Sequence, residues 1–272
     1  MLIKKFIFGS SGLVGNSFFK NLKKKKEYIF FSNKDKRFLK INLDKAIPKK
    51  YFERKKIDIF FFSSPYFINR NNRISVLQKE LKWLEKIINS FNINKLIYLS
   101  SPSVFYKNSP IGKVKKQCEN LILKSKLKYY QIWRPYNLVG KNKYLSDHFH
   151  NTAFKEIFLK KKKSYKFYGS SNDIRGYSDV NDFIKVLYRY SKKNKSFIMN
   201  YGNNDEITTY EVIKLYNNIL KKKENRIFYP IFSNKKINRS IVKKTKKSIL
   251  SKKSSKDVLN KYLKTILNEK KM

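Results

Sequence analysis

Three glycines spaced by three limit what the start of this chain can fold into. Leu2-Ile3-Lys4-Lys5-Phe6-Ile7-Phe8 is a short β-rich run, and it breaks into Gly9-Ser10-Ser11-Gly12-Leu13-Val14-Gly15. After Gly15 the apolar Phe18, Phe19 and Leu22 alternate with Asn16, Lys20 and Lys23, as in a helix lying on a sheet. A strand-to-helix turn that receives a pyrophosphate needs a residue free to take positive φ. It also needs a position with no side chain where the backbone meets the phosphate, and a third glycine for close helix–strand packing. The helix N-terminus then offers N–H groups and a favourable dipole to the anion. A glycine turn that binds nothing looks the same in isolation. Here the chain has only 8 glycines, and three fall in this turn. The reading is therefore dinucleotide binding, present or ancestral.

The rest of the first half alternates strand and helix. Glu27–Ser32 reads as a second strand and Phe38–Leu43 as a short third one. Ile57-Asp58-Ile59-Phe60-Phe61-Phe62 is an apolar run suited to a strand buried on both faces. Helical spacing runs from Ile74 to Phe91 through Val76, Leu77, Leu81, Leu84, Ile87 and Ile88. Lys95–Leu99 is the next strand, Lys113–Lys124 a helix and Tyr129–Trp133 a strand. This alternation predicts an α/β fold with a Rossmann-like, doubly wound parallel sheet. In the second half, Ser164–Tyr168 reads as a strand, Asp182–Tyr190 and Thr209–Leu220 as helices, and Ile227–Phe232 as an edge strand because of Pro230. Lys160–Lys163 reads as a solvated helix end or loop. The tail from Asn234 reads as a surface amphipathic helix with a frayed end.

The formal charge is +45, from 64 Lys and Arg against 19 Asp and Glu. That balance invites a polyanion partner. The excess is mostly lysine, spread along the chain, with only two alanines, Ala46 and Ala153. It reads as compositional bias of the kind AT-rich coding produces, and no specific nucleic-acid partner is expected. A single cysteine, Cys118, excludes an internal disulfide and fits a reducing compartment. No secretory signal or membrane-length apolar run is evident, so the expected location is cytoplasmic.

Further motifs carry a resemblance. Tyr98-Leu99-Ser100-Ser101-Pro102-Ser103-Val104-Phe105 is a strand ending in a serine pair. Ile111-Gly112-Lys113-Val114-Lys115, Arg134-Pro135-Tyr136-Asn137-Leu138-Val139-Gly140, Arg175-Gly176-Tyr177-Ser178-Asp179-Val180-Asn181-Asp182 and Asn200-Tyr201-Gly202 follow in order. With the glycine turn, these resemble the motifs of the NAD-dependent epimerase/dehydratase family, the extended short-chain dehydrogenase/reductases that mostly act on nucleotide sugars. All eight glycines lie in or beside these segments. The resemblance implies a smaller C-terminal substrate-binding lobe beside the Rossmann-like sheet: 1–140 for the Rossmann domain and 141–272 mostly for the lobe, with part of about 165–200 returning to the first. It implies NAD or NADP as cofactor, a nucleotide-sugar substrate, and a role in surface-polysaccharide sugar synthesis; a homodimer is compatible with it. It implies a cofactor cradle of Gly9, Ser11, Gly12, Leu13, Val14 and Gly15, joined by Ser32, Asn33, Asn42, Leu43 and Ser63. The second strand ends in Ser32, Asn33 and Lys34 with Asp35 late, where an acid would hold the ribose hydroxyls; that tilts toward NADP.

The implied chemistry uses a tyrosine phenolate as base and a lysine four residues later, which holds the nicotinamide ribose and depresses the phenol's pKa. By position the serine is Ser101 and the lysine Lys115. Asn137, Arg175 and Arg239 would face the nucleotide-sugar phosphates. The tyrosine position, however, holds Ile111, which cannot accept a proton. The alternative is a non-catalytic relative that binds NAD(P) or a nucleotide sugar. Tyr106 lies near but out of register, and Tyr51 with Lys55 has the spacing without the context. Asp147-His148-Phe149-His150 could suggest a metal, but no ligand set accompanies it, so none is expected. Cys118 reads as a packed residue and the aromatic-rich stretches as core strands rather than base-stacking surface.

Overall fold

The computed structural model describes residues 3–22, 26–51, 56–65, 73–106, 109–141, 149–167, 169–203, 205–233, 239–240 and 248–268. Asp147, His148, Lys55, Tyr168, Ile241 and Val242 lie outside them. In chain order the elements begin β1 (Lys5–Phe8), α1 (Leu13–Leu22), β2 (Tyr28–Ser32), β3 (Leu39–Lys40), β4 (Ile57–Phe61), α2 (Arg73–Ser90), β5 (Ile93–Leu99), α3 (Pro110–Lys124) and β6 (Tyr129–Pro135). They continue with β7 (Leu138–Val139), α4 (Phe149–Phe154), a π-helical turn at Lys155–Leu159, β8 (Ser164–Phe167), β9 (Ile174–Gly176), β10 (Ser178–Asp179), α5 (Val180–Ser191) and β11 (Phe197–Gly202). The last are β12 (Glu206–Thr208), α6 (Thr209–Glu224), β13 (Tyr229–Phe232), β14 (Arg239–Ser240), β15 (Ser248–Leu250) and α7 (Ser255–Asn268). The largest sheet has eight strands in the order β15-β11-β6-β5-β4-β1-β2-β3.

The chain divides into two compact units: residues 1–135 with 180–200, and residues 136–179 with 201–272. In the first unit β1 pairs in parallel with both β2 and β4, and β4–β5–β6 continue in parallel. The order β3-β2-β1-β4-β5-β6 is that of a dinucleotide-binding sheet, and it reverses between β1 and β4. The aromatic-rich strands supply the core: Phe6, Phe8, Phe31, Phe60 and Phe61 are buried, and the Phe8 and Phe31 rings stack with centroids 5.0 Å apart.

The second unit has its own core, in which Phe154, Ile157, Phe167, Tyr216, Leu220 and Leu263 pack together. α6 starts with a capping box: Thr208 accepts from the Glu211 backbone N–H, and Glu211 accepts from the Thr208 backbone. It ends at Asn225 in the left-handed conformation. One expectation is corrected here. The tail is not one surface helix: among its described residues it contributes the strands β14 and β15, and a helix from Ser255, where Val258, Leu259 and Leu263 are buried. The apolar spacing there is a core-facing stripe. His150 lies on α4 and is buried.

Candidate functional site

The glycine turn sits at the reversal point of the sheet. Gly9 has φ +87°, and a Cβ there would lie 2.6 Å from Phe62 C and Ser63 N at the end of β4. A Cβ on Gly15 would meet the Gly9 oxygen at 2.3 Å. The packing of the turn itself therefore requires both glycines. Gly12 differs: it is exposed, and an added Cβ would make only ordinary contact, 3.4 Å from the Gly9 oxygen. Among the described residues no atom demands glycine there, so the bare backbone fits a position kept clear for an approaching ligand. Leu13 and Val14 form the first turn of α1, and Val14 is buried.

The end of β2 is built around Ser32. Its Oγ donates to Ser11 Oγ (3.0 Å) and accepts from the backbone N–H of Lys34 and Asp35. Asp35 takes both Nε and Nη2 of Arg37, and Arg37 Nη2 also reaches Asn16 Oδ1 at 3.4 Å. Asn33 is exposed. Farther on, Asn42 accepts from the Asp44 backbone N–H, and Leu43 is buried with its carbonyl accepting from Lys86.

Beyond β5 the serine pair divides its work. Ser100 Oγ donates to Glu119 Oε1 (2.6 Å), and Glu119 also receives Arg134 through Nε (2.8 Å) and Nη2 (2.5 Å). One buried carboxylate thus ties the ends of β5 and β6 to α3. Ser101 caps the short turn Pro102–Phe105, accepting from the backbone N–H and the Oγ of Ser103. α3 begins one turn earlier than its apolar spacing suggested, because Ser109 caps it and Pro110 takes its first position. A Cβ on Gly112 would lie 2.1 Å from the Ser103 oxygen, so helix and turn are in direct backbone contact. That contact fixes Ile111 on the first turn of α3, where its side chain packs against the core.

Lys115, four residues on, is 7% exposed. Its Nζ donates to Glu80 Oε1 (2.7 Å) and to the Leu99 carbonyl (2.8 Å). Glu80 also accepts from Tyr98 Oη (2.8 Å) and Ser64 Oγ (3.0 Å). Burial, and then the charge of Glu80, push the Tyr98 phenol well above its ordinary pKa, so it stays protonated. Sequence reasoning missed Glu80 and Glu119. The signal was present: Glu80 falls on the Leu77–Leu84–Ile87 stripe and Glu119 beside Cys118 and Ile122, and a carboxylate on an apolar helix face needs a partner.

In the second unit Asn137 takes a left-handed φ of 33°, and its Nδ2 donates to the Gly176 carbonyl (3.1 Å). A Cβ on Gly176 would lie 2.0 Å from the Asn203 oxygen. Arg175 stands on β9, 3.7 Å from Asp173 Oδ2, and its buried Nε has no hydrogen-bond partner among the described residues. β14 pairs in parallel with β9, Ser240 opposite Arg175 and Arg239 opposite Ile174. The sheet thus brings the backbones of Arg175 and Arg239 within one register position. No group of three or more metal-ligating side chains occurs among the described residues. Within the same limits, no helix is long and apolar enough to cross a membrane.

No family model and no curated protein matches the sequence. Solved structures do. MoeE5 in complex with UDP-glucose and NAD superposes with TM-score 0.75 at 12% identity, over 98% of this chain and 99% of that one. The chain has the fold of the nucleotide-sugar epimerases. UDP-N-acetylglucosamine 4-epimerase from Bacillus cereus gives TM-score 0.73 at 16% identity, over 98% and 97% of the two chains. UDP-glucose 4-epimerase from Thermotoga maritima, solved with UDP-glucose, gives 0.73 at 17% identity, over 97% of this chain and all of that one.

Proposed function

We propose that this chain binds NAD(P) at the Gly9–Gly15 turn of the first unit and a nucleotide sugar through residues of the second, as a protein of the epimerase, dehydratase or reductase type serving surface-polysaccharide sugar synthesis. The observation that carries the reading is the contrast among the glycines. Gly9 and Gly15 are demanded by backbone contacts, whereas Gly12 is demanded by none and lies exposed at the sheet's reversal point. Arg175, with its buried unpartnered Nε, supports an anion in the second unit. NAD(P), when bound, supplies a hydride acceptor. This chain's part is to cradle the pyrophosphate at Gly12 and Leu13, and to hold Ser100 through Glu119 and Arg134 while Ser101 is set by its cap on Ser103. Ser32 and Asn33, with Asp35 already committed to Arg37, leave the ribose end without a free acid, which favours NADP over NAD.

A second reading is supported by Ile111 and Lys115. Ile111 offers no proton acceptor, and Lys115 is held by Glu80. On this reading the chain binds NAD(P) or a nucleotide sugar without redox turnover. Losing a positioned general base costs roughly 10²–10⁴-fold. The test is Ile111→Tyr, with UDP-glucose and UDP-N-acetylglucosamine as substrates and chromatographic separation of the nucleotide-sugar products as readout, since epimerisation and dehydration leave no net NAD(P)H. A gain of about 10²-fold or more means the native site lacks only its base. Unchanged turnover in an already active protein assigns the proton transfer to another group. Absence of cofactor binding in the unaltered protein refutes the first reading, and absence of both cofactor and nucleotide-sugar binding refutes the second as well.

A further inference from the structure

The second unit carries a basic, partly apolar surface that the cofactor chemistry does not use. Two segments build it, 155–166 and 221–232, with ten basic residues against two carboxylates. Both carboxylates are engaged: Glu156 is buried and paired with Lys160 and Lys162, and Glu224 pairs with Arg226. The segments are knit together. Arg226 donates to the carbonyls of Ile157 (3.0 Å) and Lys162 (3.4 Å), and the Tyr229 N–H donates to the Lys163 carbonyl.

β13 then pairs in parallel with β8, Tyr229 opposite Ser164 and Ile231 opposite Lys166. Paired residues share a face of the ribbon. Tyr165, Phe167 and Phe232, on one face, belong to the core. On the other face Tyr229 is 62% and Ile231 50% exposed, beside exposed Lys166; Ile227, at the ribbon's start, is 46% exposed. Large apolar side chains left in solvent beside a lysine-rich turn, where only Lys160 and Lys162 face a carboxylate among the described residues, are not explained by solubility, which the charge alone secures.

We propose that this ribbon and its lysine turn dock the protein on an anionic phospholipid surface. Charge complementarity and the kind of apolar residue select that partner. Single-stranded nucleic acid needs aromatic faces for stacking, and Tyr229 is the only exposed aromatic on the ribbon. Leu159, Ile227 and Ile231 are aliphatic and suit the headgroup–acyl boundary. Lysine, a point charge rather than a planar fork, suits a diffuse anionic surface. The inference does not depend on the proposed cofactor chemistry.

The test is co-sedimentation of the full chain with phosphatidylcholine vesicles containing roughly a third phosphatidylserine, at about 150 mM salt. Each lysine near such a surface contributes about fivefold. The triple variant Lys161→Gln, Lys163→Gln, Lys166→Gln should therefore bind about a hundredfold more weakly. Lys82→Gln, Lys124→Gln, Lys126→Gln, an equal charge change in the first unit, should stay within about twofold. Ile231→Ser, which leaves the charge untouched, should lose several-fold. Equal losses in the two triple variants would mean general attraction of a +45 chain and overturn the proposal. So would an Ile231→Ser variant that binds unchanged, or a wild-type chain that ignores the vesicles but binds oligouridylate.

Discussion

Glu80 is the residue whose loss tests the account of the buried site most severely. It accepts from Lys115, Tyr98 and Ser64, and it is 1% exposed. Glu80→Leu leaves the Lys115 ammonium buried with only the Leu99 carbonyl as acceptor. Removing one partner of a buried ion pair costs about 3–5 kcal/mol. The Tyr98 hydroxyl, left with only the weak Cys118 thiol as a partner, adds about 1–3 kcal/mol. Against a typical total stability of about 5–15 kcal/mol, the variant should be close to unfolding. Adding Lys115→Met removes the uncompensated charge, and the double variant should recover the ion-pair part, leaving a deficit of about 1–3 kcal/mol from Tyr98. The assay is urea unfolding of the wild type, both single variants and the double, read as a mutant cycle. Glu80→Gln, which keeps an acceptor for Tyr98, serves if Glu80→Leu does not fold. The reasoning is refuted if Glu80→Leu lies within about 1 kcal/mol of wild type, or if the double variant is no more stable than Glu80→Leu.

Three further outcomes follow from the packing and the electrostatics. Gly15→Ala should destabilise the fold by at least about 1–3 kcal/mol, because its Cβ meets the Gly9 oxygen at 2.3 Å; a thermal melt reads it. Cys118 is fully buried and burial pushes its thiol up to about 12, so it should resist a thiol reagent at pH 8 until urea unfolds the chain; rapid labelling of native protein would contradict that. The Thr208 backbone hydrogen bond, against opposing burial, holds the Glu211 carboxyl below its ordinary pKa. The folded-state pKa being depressed, Glu211 contributes stability that is present above its unfolded value, near 4.3, and is lost as pH falls through the folded one. Glu211→Gln should flatten that part of an acid-unfolding curve.

The sheet was readable because its signals are local. Apolar runs such as Ile57–Phe62 and the glycine turn at Gly9 declare a parallel α/β layer without knowledge of partners. The helix boundaries at Pro110 and Ser255 were not, since each depends on a cap or on a core that only the folded chain assembles. The tail shows this well: the stripe Val258–Leu259–Leu263 looks the same whether it faces water or a core, and the core it joins is built from α4 and α6. Glu80 and Glu119 lay in plain view on apolar helix faces, yet their partners come from 15 to 35 positions away, which spacing alone does not encode. In sequence the three glycines carry three different jobs, and the backbone contacts separate Gly12, which no described contact requires, from the other two.

That separation gives the most direct test of the central claim. Titrating NADH and NADPH by fluorescence against the wild type and Gly12→Ala, with thermal melts of both, asks whether Gly12 is kept bare for a ligand. The account predicts micromolar binding by the wild type. It also predicts that Gly12→Ala melts at or slightly above the wild-type temperature, since Ala in place of Gly at an unstrained site gains roughly 0.4–1 kcal/mol, while cofactor binding falls at least about tenfold. A wild type that binds neither nucleotide, or a Gly12→Ala variant that binds both unchanged, would contradict it.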